Sequence, residues 1–274
     1  MLPTDERTVV MGVLNVTPDS FSDGGDHFDP GAAIERGLEM IEQGADLIDV
    51  GGESTRPGSL PVSEDEERRR VVPVVASLTA AGGVVSIDTT KGAVARAALD
   101  TGAAVVNDVT ALADPETAAA AAAAGAGVVL MHMQGAPRTM QEDPQYDDVV
   151  TEVRDFLLER AAVAEAAGIR ADAICLDPGI GFGKTLEHNL ALLRRIDVLA
   201  AAGYPVLVGA SRKSFLQHLL GPTPAAERDP ATAAAHVLAV AGGATLIRVH
   251  NVVMGLRTAR VADAIVRAGG GEWR

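Results

Sequence analysis

Short runs rich in β-branched residues alternate along the whole chain with Ala-rich stretches of helical period. There are eight runs: Val9–Leu14, Asp46–Val50, Val84–Ile87, Ala104–Val106, Gly127–Met131, Ala173–Leu176, Val206–Val208 and Leu246–Val249. Helix candidates lie between and after them at 30–43, 63–81, 91–101, 115–124, 147–167, 186–202, 229–241 and 255–268. The runs do not alternate apolar with polar residues, so each strand should be covered on both faces, as in a parallel sheet. Eight strand–helix units with no linker predict an α/β fold, a closed (β/α)8 TIM barrel forming one domain over residues 1–274. An open doubly wound sheet is the alternative. Aromatic residues make up only 3% of the chain. That suits a barrel filled by stacked branched aliphatics.

Charge narrows the partners. The 23 Lys and Arg against 37 Asp and Glu leave a net charge of −14, with no basic stripe for nucleic acid or an anionic membrane. No apolar run reaches the roughly 18 residues of a membrane helix. The first residues, Met1–Arg7, are acidic where a secretory leader would be basic and apolar, so a cytoplasmic protein is expected. The single cysteine, Cys175, excludes a disulfide framework and reads as a buried small residue. The charge run Glu64–Arg70 reads as a solvated helix face with i,i+4 pairs, begun by a Ser63 cap.

Chemistry on such a barrel belongs at the C-terminal ends of the strands. The residues closing the runs are Asn15, the Gly51–Arg56 turn, Asp88, Asn107, His132, Asp177, Ser211–Lys213 and Arg248/His250, all of them polar turns or side chains. Helix capping could account for Asp88, Asn107 or Asp177 singly. Together these three suit a flat, nitrogen-rich heterocycle, because carboxylates accept paired N–H bonds and an amide both donates and accepts. Arg56, Lys213, Arg248 and His250 would add positive charge at the rim, suited to a phosphate or diphosphate. Lys213 follows Arg212 in a phosphate-like setting rather than the apolar pocket of a Schiff-base lysine. Two long connections, Asn15–Asp29 and Gly51–Ser63, have the composition of functional lids.

The stretch Pro178–Thr185 misses the phosphate-loop pattern, because Pro178 stands where its first Gly belongs. Its glycines are expected to let backbone approach a ligand, with Phe182 as an apolar wall. Six histidines show no zinc spacing. A Mg2+ shared between Asn15 and substrate phosphate oxygens is compatible with the sequence.

The segments Met11–Gly25, Gly51–Gly58, Ser86–Thr89, Val106–Val109, Met131–Gln141, Leu176–Lys184, Gly209–Ser214 and Arg248–His250 together resemble the dihydropteroate synthases of folate biosynthesis. They occur in family order over almost the whole chain. The resemblance implies a transferase that joins 6-hydroxymethyl-7,8-dihydropterin diphosphate to 4-aminobenzoate and releases diphosphate. It implies a pterin held by Asp88, Asn107, Asp177 and Lys213. The diphosphate would meet Asn15 with Mg2+, Thr55, Arg248 and His250. The aminobenzoate pocket would be built by Phe21, Asp23, Arg56, Pro57, Phe182, Lys213 and Ser214. Asp177, Lys213, Arg248 and His250 would carry the catalytic charge. The resemblance further implies a homodimer and competition by sulfonamides. A corrinoid-type methyltransferase domain and a silent pterin-binding paralogue are the alternatives. The Arg56 loop and the Ser211–Ser214 turn argue against the first. Asn251, where the family usually has Asp, and Thr90, where Tyr is common, are the departures.

Overall fold

Each of the eight runs becomes a strand in the computed structural model, which describes residues 7–17, 30–54 and 59–267. The strands are β1 (Val9–Asn15), β2 (Leu47–Gly51), β3 (Val85–Asp88), β4 (Val105–Asp108), β5 (Gly127–Met131), β6 (Ile174–Asp177), β7 (Leu207–Val208) and β8 (Leu246–Val249). Neighbours pair in parallel in the order β6-β5-β4-β3-β2-β1-β8-β7. A parallel bridge between Leu176 and Val206 closes the ring, and the Leu176 N–H donates to the Pro205 carbonyl at 2.9 Å. The closed barrel, rather than an open sheet, is the observed fold.

The helices are α1 (Pro30–Glu42), α2 (Glu64–Ala80), α3 (Gly92–Asp100), α4 (Pro115–Ala124), α5 (Val149–Ala166), α6 (Leu186–Arg194), α7 (Ile196–Ala200), α8 (Ser214–Leu220), α9 (Asp229–Ala241) and α10 (Val252–Val266). Ser63 caps α2, its hydroxyl accepting from the Glu66 N–H at 3.3 Å. Two expectations need correction. The stretch 186–202 is broken at Arg195, whose φ of −122° and ψ of 36° lie outside helical values. The turn after β7 carries the short helix α8, too brief to show a helical period. Asn251 caps α10 by accepting from the Met254 N–H at 3.0 Å, so this departure serves local structure.

Side chains along each strand sort by parity. Outward residues such as Val10, Ile48, Val85, Val128, Ile174 and Ile247 join the helices in one large core. Inward residues Val9, Met11, Leu47, Val105, Val129, Cys175, Leu207 and Leu246 form a separate aliphatic cluster filling the barrel's lower half. Burial of one such side chain contributes about 1.5–3 kcal/mol. Cys175 is fully buried there, as expected.

In a barrel of this kind, alternate strands supply each interior layer. Leu47, Val105, Cys175 and Leu246 come from the even-numbered strands. Two residues further along the same strands stand Asp49, Asn107, Asp177 and Arg248. On these four strands, the inward residue above each aliphatic one is therefore polar. This change of layer is what positions the site.

Candidate active site

The polar layer is held together by ion pairs and hydrogen bonds. Arg248 Nη2 lies 2.6 Å from Asp49 Oδ2 and 2.7 Å from Asp88 Oδ2. Asn107 Nδ2 donates to the same Asp49 oxygen at 3.0 Å. Asp88, at the end of β3, thus joins the even-strand residues. Burial is the largest influence on the Asp88 carboxyl and lifts its pKa to about 7, while Arg248 pulls the other way. Burial works against the Arg248 charge, but Asp49 and Asp88 outweigh it and hold the guanidinium above its ordinary value.

Asp177 and Lys213 form the other side. Asp177 is buried, its Oδ1 accepts from the Gly179 N–H at 2.7 Å, and burial raises its pKa. Lys213 Nζ donates to the Ile180 carbonyl and stands 4.4 Å from the centroid of the Phe182 ring. Burial lowers its pKa to about 8, against the opposing field of Asp177. Phe182 packs with Val109, Met131 and Met140, with Met133 against that cluster. Ser214, the first residue of α8, is exposed beside Lys213.

After β7 and β8, where phosphate contacts are expected, His250 Nδ1 and Ser211 Oγ are 3.0 Å apart, and Ser211 Oγ accepts from the His250 N–H at 3.2 Å. Asn15 ends β1 opposite Gly51 of β2, half-buried. Arg212 does not share this setting. Its guanidinium grips Asp229 through two hydrogen bonds of 2.7 and 2.9 Å, so Arg212 adds no free charge to the phosphate-like setting expected of Lys213. Thr55, Arg56, Pro57, Phe21 and Asp23 lie outside the described residues.

The glycines after β6 answer a different demand from the one expected. Gly179 has φ of +66°, and a Cβ there would lie 1.9 Å from the His132 carbonyl oxygen. At Gly183, φ is +60° and a Cβ would meet the Gln134 carbonyl oxygen at 2.4 Å. The close approach is therefore to the connection after β5. Lys184 completes this seam: its buried Nζ donates to the His132 and Phe182 carbonyls at 3.2 and 2.9 Å and sits 3.0 Å from His132 Nδ1. Burial lowers Lys184 to about 7 and His132 to about 3. His132 also meets the Phe156 ring edge-on at 4.9 Å. Its place at a strand end thus serves packing.

The second long connection is clasped at its base. Lys91 Nζ bridges Glu53, at 2.6 Å, and the buried Glu67 of α2, while Glu53 also accepts from the Val62 N–H at 2.9 Å. Glu67 therefore departs from the solvated face expected of Glu64–Arg70, as does Arg70, which pairs with Glu66 and donates to the Gly52 carbonyl at 2.9 Å; the Glu66–Arg69 pair faces outward. Among the described residues, no three His, Cys, Asp or Glu side chains gather as a metal site. No helix among them is long and apolar enough to cross a membrane.

Asp49 is the functional candidate missed by reading only strand ends. Its signal is a carboxylate inside the apolar run Leu47–Val50.

Comparison with known proteins agrees with this geometry. The family model described as pterin binding enzyme matches residues 11–250. The dihydropteroate synthase of Escherichia coli is 48% identical over 260 residues, covering 94% of this chain and 92% of that protein. A Yersinia pestis dihydropteroate synthase in a sulfonamide drug complex superposes with a TM-score of 0.90 at 45% identity, covering 96% of this chain and 95% of that one. A Xanthomonas albilineans dihydropteroate synthase with 4-aminobenzoic acid superposes with a TM-score of 0.90 at 46% identity, covering 96% and 94%. A barrel whose polar layer pairs acids with an arginine, and whose sequence matches these proteins along almost its full length, belongs to the pterin-binding enzymes of the dihydropteroate synthase family.

Proposed function

We propose that the protein condenses 6-hydroxymethyl-7,8-dihydropterin diphosphate with 4-aminobenzoate, giving 7,8-dihydropteroate and diphosphate. The observation that carries this reading is the buried set Asp88, Asn107 and Asp177 with the half-buried Lys213, beside Arg248, at the strand ends of the barrel. Asp88 and Asp177 accept from the N–H groups of the pterin edge, and Asn107 and Lys213 complete its polar contacts. Arg248, His250, Asn15 and Thr55 meet the diphosphate. Phe182, Ser214, Phe21, Asp23, Arg56 and Pro57 receive the aminobenzoate, a pocket that sulfonamides would share.

The carbon–oxygen bond to diphosphate breaks first, and the resonance-stabilised pterin cation is captured by the aniline nitrogen. That nitrogen is already nucleophilic, so the protein's contribution is charge and position. Mg2+ belongs to the same proposal. The donor set fits an ion that arrives with substrate: Asn15 offers one hard oxygen, and the described floor carries Asp49, Asp88 and Asp177 against Arg248 and Lys213. When bound, the ion would offset charge on the departing diphosphate.

A cytoplasmic homodimer is part of the reading. It is supported by Leu238, Val261 and Ile265, which expose apolar side chains on the neighbouring helices α9 and α10. The test of the activity is incubation with pterin diphosphate, 4-aminobenzoate and Mg2+. Release of diphosphate that depends on the amine is expected. No release, or release independent of the amine, overturns the reading.

A further inference from the structure

Asp49 stands deeper in the barrel than any other acid of the site and is fully inaccessible to solvent. On β2 it lies between Val13 of β1 and Ser86 of β3, two residues beyond Leu47. A carboxylate in such surroundings is strongly disfavoured unless its charge is paired and hydrogen-bonded. One oxygen meets both requirements: Oδ2 accepts from Asn107 Nδ2 on one side and faces Arg248 Nη2 on the other, while Oδ1 is buried without a hydrogen-bond partner.

This contact decides what Asn107 can offer. A carboxylate oxygen 3.0 Å away admits only the NH2 end of the amide, since the carbonyl end would oppose lone pair to lone pair. With one Nδ2 hydrogen committed downward, the carbonyl Oδ1 and the second Nδ2 hydrogen are left for a ligand. Asn107 is thereby fixed in one orientation, its carbonyl held in place as an acceptor. The same Asp49 oxygen shares Arg248 with Asp88, so the guanidinium is not neutralised by Asp88 alone.

We infer that Asp49 is a positioning residue for the heterocycle end of the site: by orienting the Asn107 amide and sharing Arg248 with Asp88, it makes the pocket floor an array of acceptors that selects a ligand edge rich in N–H donors. This inference rests on the proposed function, and it assigns the polarity of the site to a residue that does not itself touch substrate.

The test is the binding of 6-hydroxymethylpterin, which carries no diphosphate, measured by calorimetry together with steady-state kinetics. Asp49→Asn removes the reason for the amide orientation. It is expected to weaken the pterin at least tenfold and to raise KM for the pterin diphosphate, leaving KM for 4-aminobenzoate within twofold. The exchange Asp49→Asn/Asn107→Asp re-forms the contact in the reverse direction and keeps an acceptor above for the ligand, at unchanged total charge. It is expected to recover most of the lost pterin affinity. Wild-type pterin binding by Asp49→Asn overturns the inference, as does an equal loss for both substrates. Should the single variant not fold, the exchange variant decides alone: pterin binding within a few-fold of wild type supports the inference, and failure to fold or to bind overturns it. If the unaltered protein binds no pterin, the proposed function fails instead.

Discussion

Two groups of the site should govern its response to pH. The Asp88 carboxyl, lifted to about 7 by burial, must be ionised to accept from a ligand N–H and to pair with Arg248. Lys213, lowered by burial to about 8, must keep its proton to stay cationic beside Asp177. Activity therefore rises with pH through the first value and falls through the second. The expected result is a narrow bell in kcat/KM for the pterin diphosphate, whose limbs report the free enzyme. Asp88→Asn should remove the acid limb, and the pH profile of the variant checks this. Gly179 gives a second prediction at the same scale. An alanine there meets both a left-handed φ and the His132 carbonyl, so Gly179→Ala should cost about 2–5 kcal/mol in urea unfolding. The glycines of this stretch were visible in the sequence, but their partner was not. Nothing in Pro178–Lys184 indicates that the backbone pressed against it comes from the end of β5.

Between elements, the Lys91–Glu53–Glu67 bridge joins the connection after β3, the turn after β2 and helix α2. Burial works against the Lys91 ammonium, but its hydrogen bonds to Glu53 and Glu67 outweigh this and raise its pKa. Glu53 also holds Val62, so the two ends of the second long connection are fixed to one lysine. Lys91→Met would strand the buried Glu67 carboxylate, a loss of about 3 kcal/mol measurable by denaturant unfolding. Because that connection also contains Arg56, the variant should raise KM for 4-aminobenzoate more than KM for the pterin diphosphate. Elements themselves were largely legible. All eight strands follow from their β-branched runs, because burial on both faces leaves a strong apolar signature. The break at Arg195 was not legible, since Leu186–Ala202 keeps its apolar spacing through the interruption. Glu67 was equally hidden. A charge run shows a polar face, and only the packing of α2 reveals which member turns inward.

For the molecule as a whole, a net charge of −14 coexists with an anionic substrate, and the structure changes how that is reconciled. Two of the cations expected to form a positive rim are already engaged: Arg248 with Asp49 and Asp88, and Lys213 in the field of Asp177. The described floor is close to neutral rather than positive. A divalent ion accompanying the diphosphate then has a clear electrostatic role, in keeping with the proposed Mg2+. On the outside, Leu238, Val261 and Ile265 are more than half exposed, at 65%, 57% and 64%. If they meet a second copy, Leu238→Glu should shift the protein from dimer to monomer in light scattering and leave the barrel folded.

The polar layer has one more consequence, which concerns how the chain finds its fold. A strand displaced by one residue would turn its polar-layer side chain outward into the helix-packed apolar core. A displacement by two keeps the inside–outside parity, so that check cannot detect it. Here such an error in β8 would move Arg248 by one layer, down among Val9, Met11 and Leu47 or up beyond the reach of Asp49 and Asp88. Either way an unpaired charge or a stranded carboxylate results. The residues gathered for binding thus also tell each strand how far to advance.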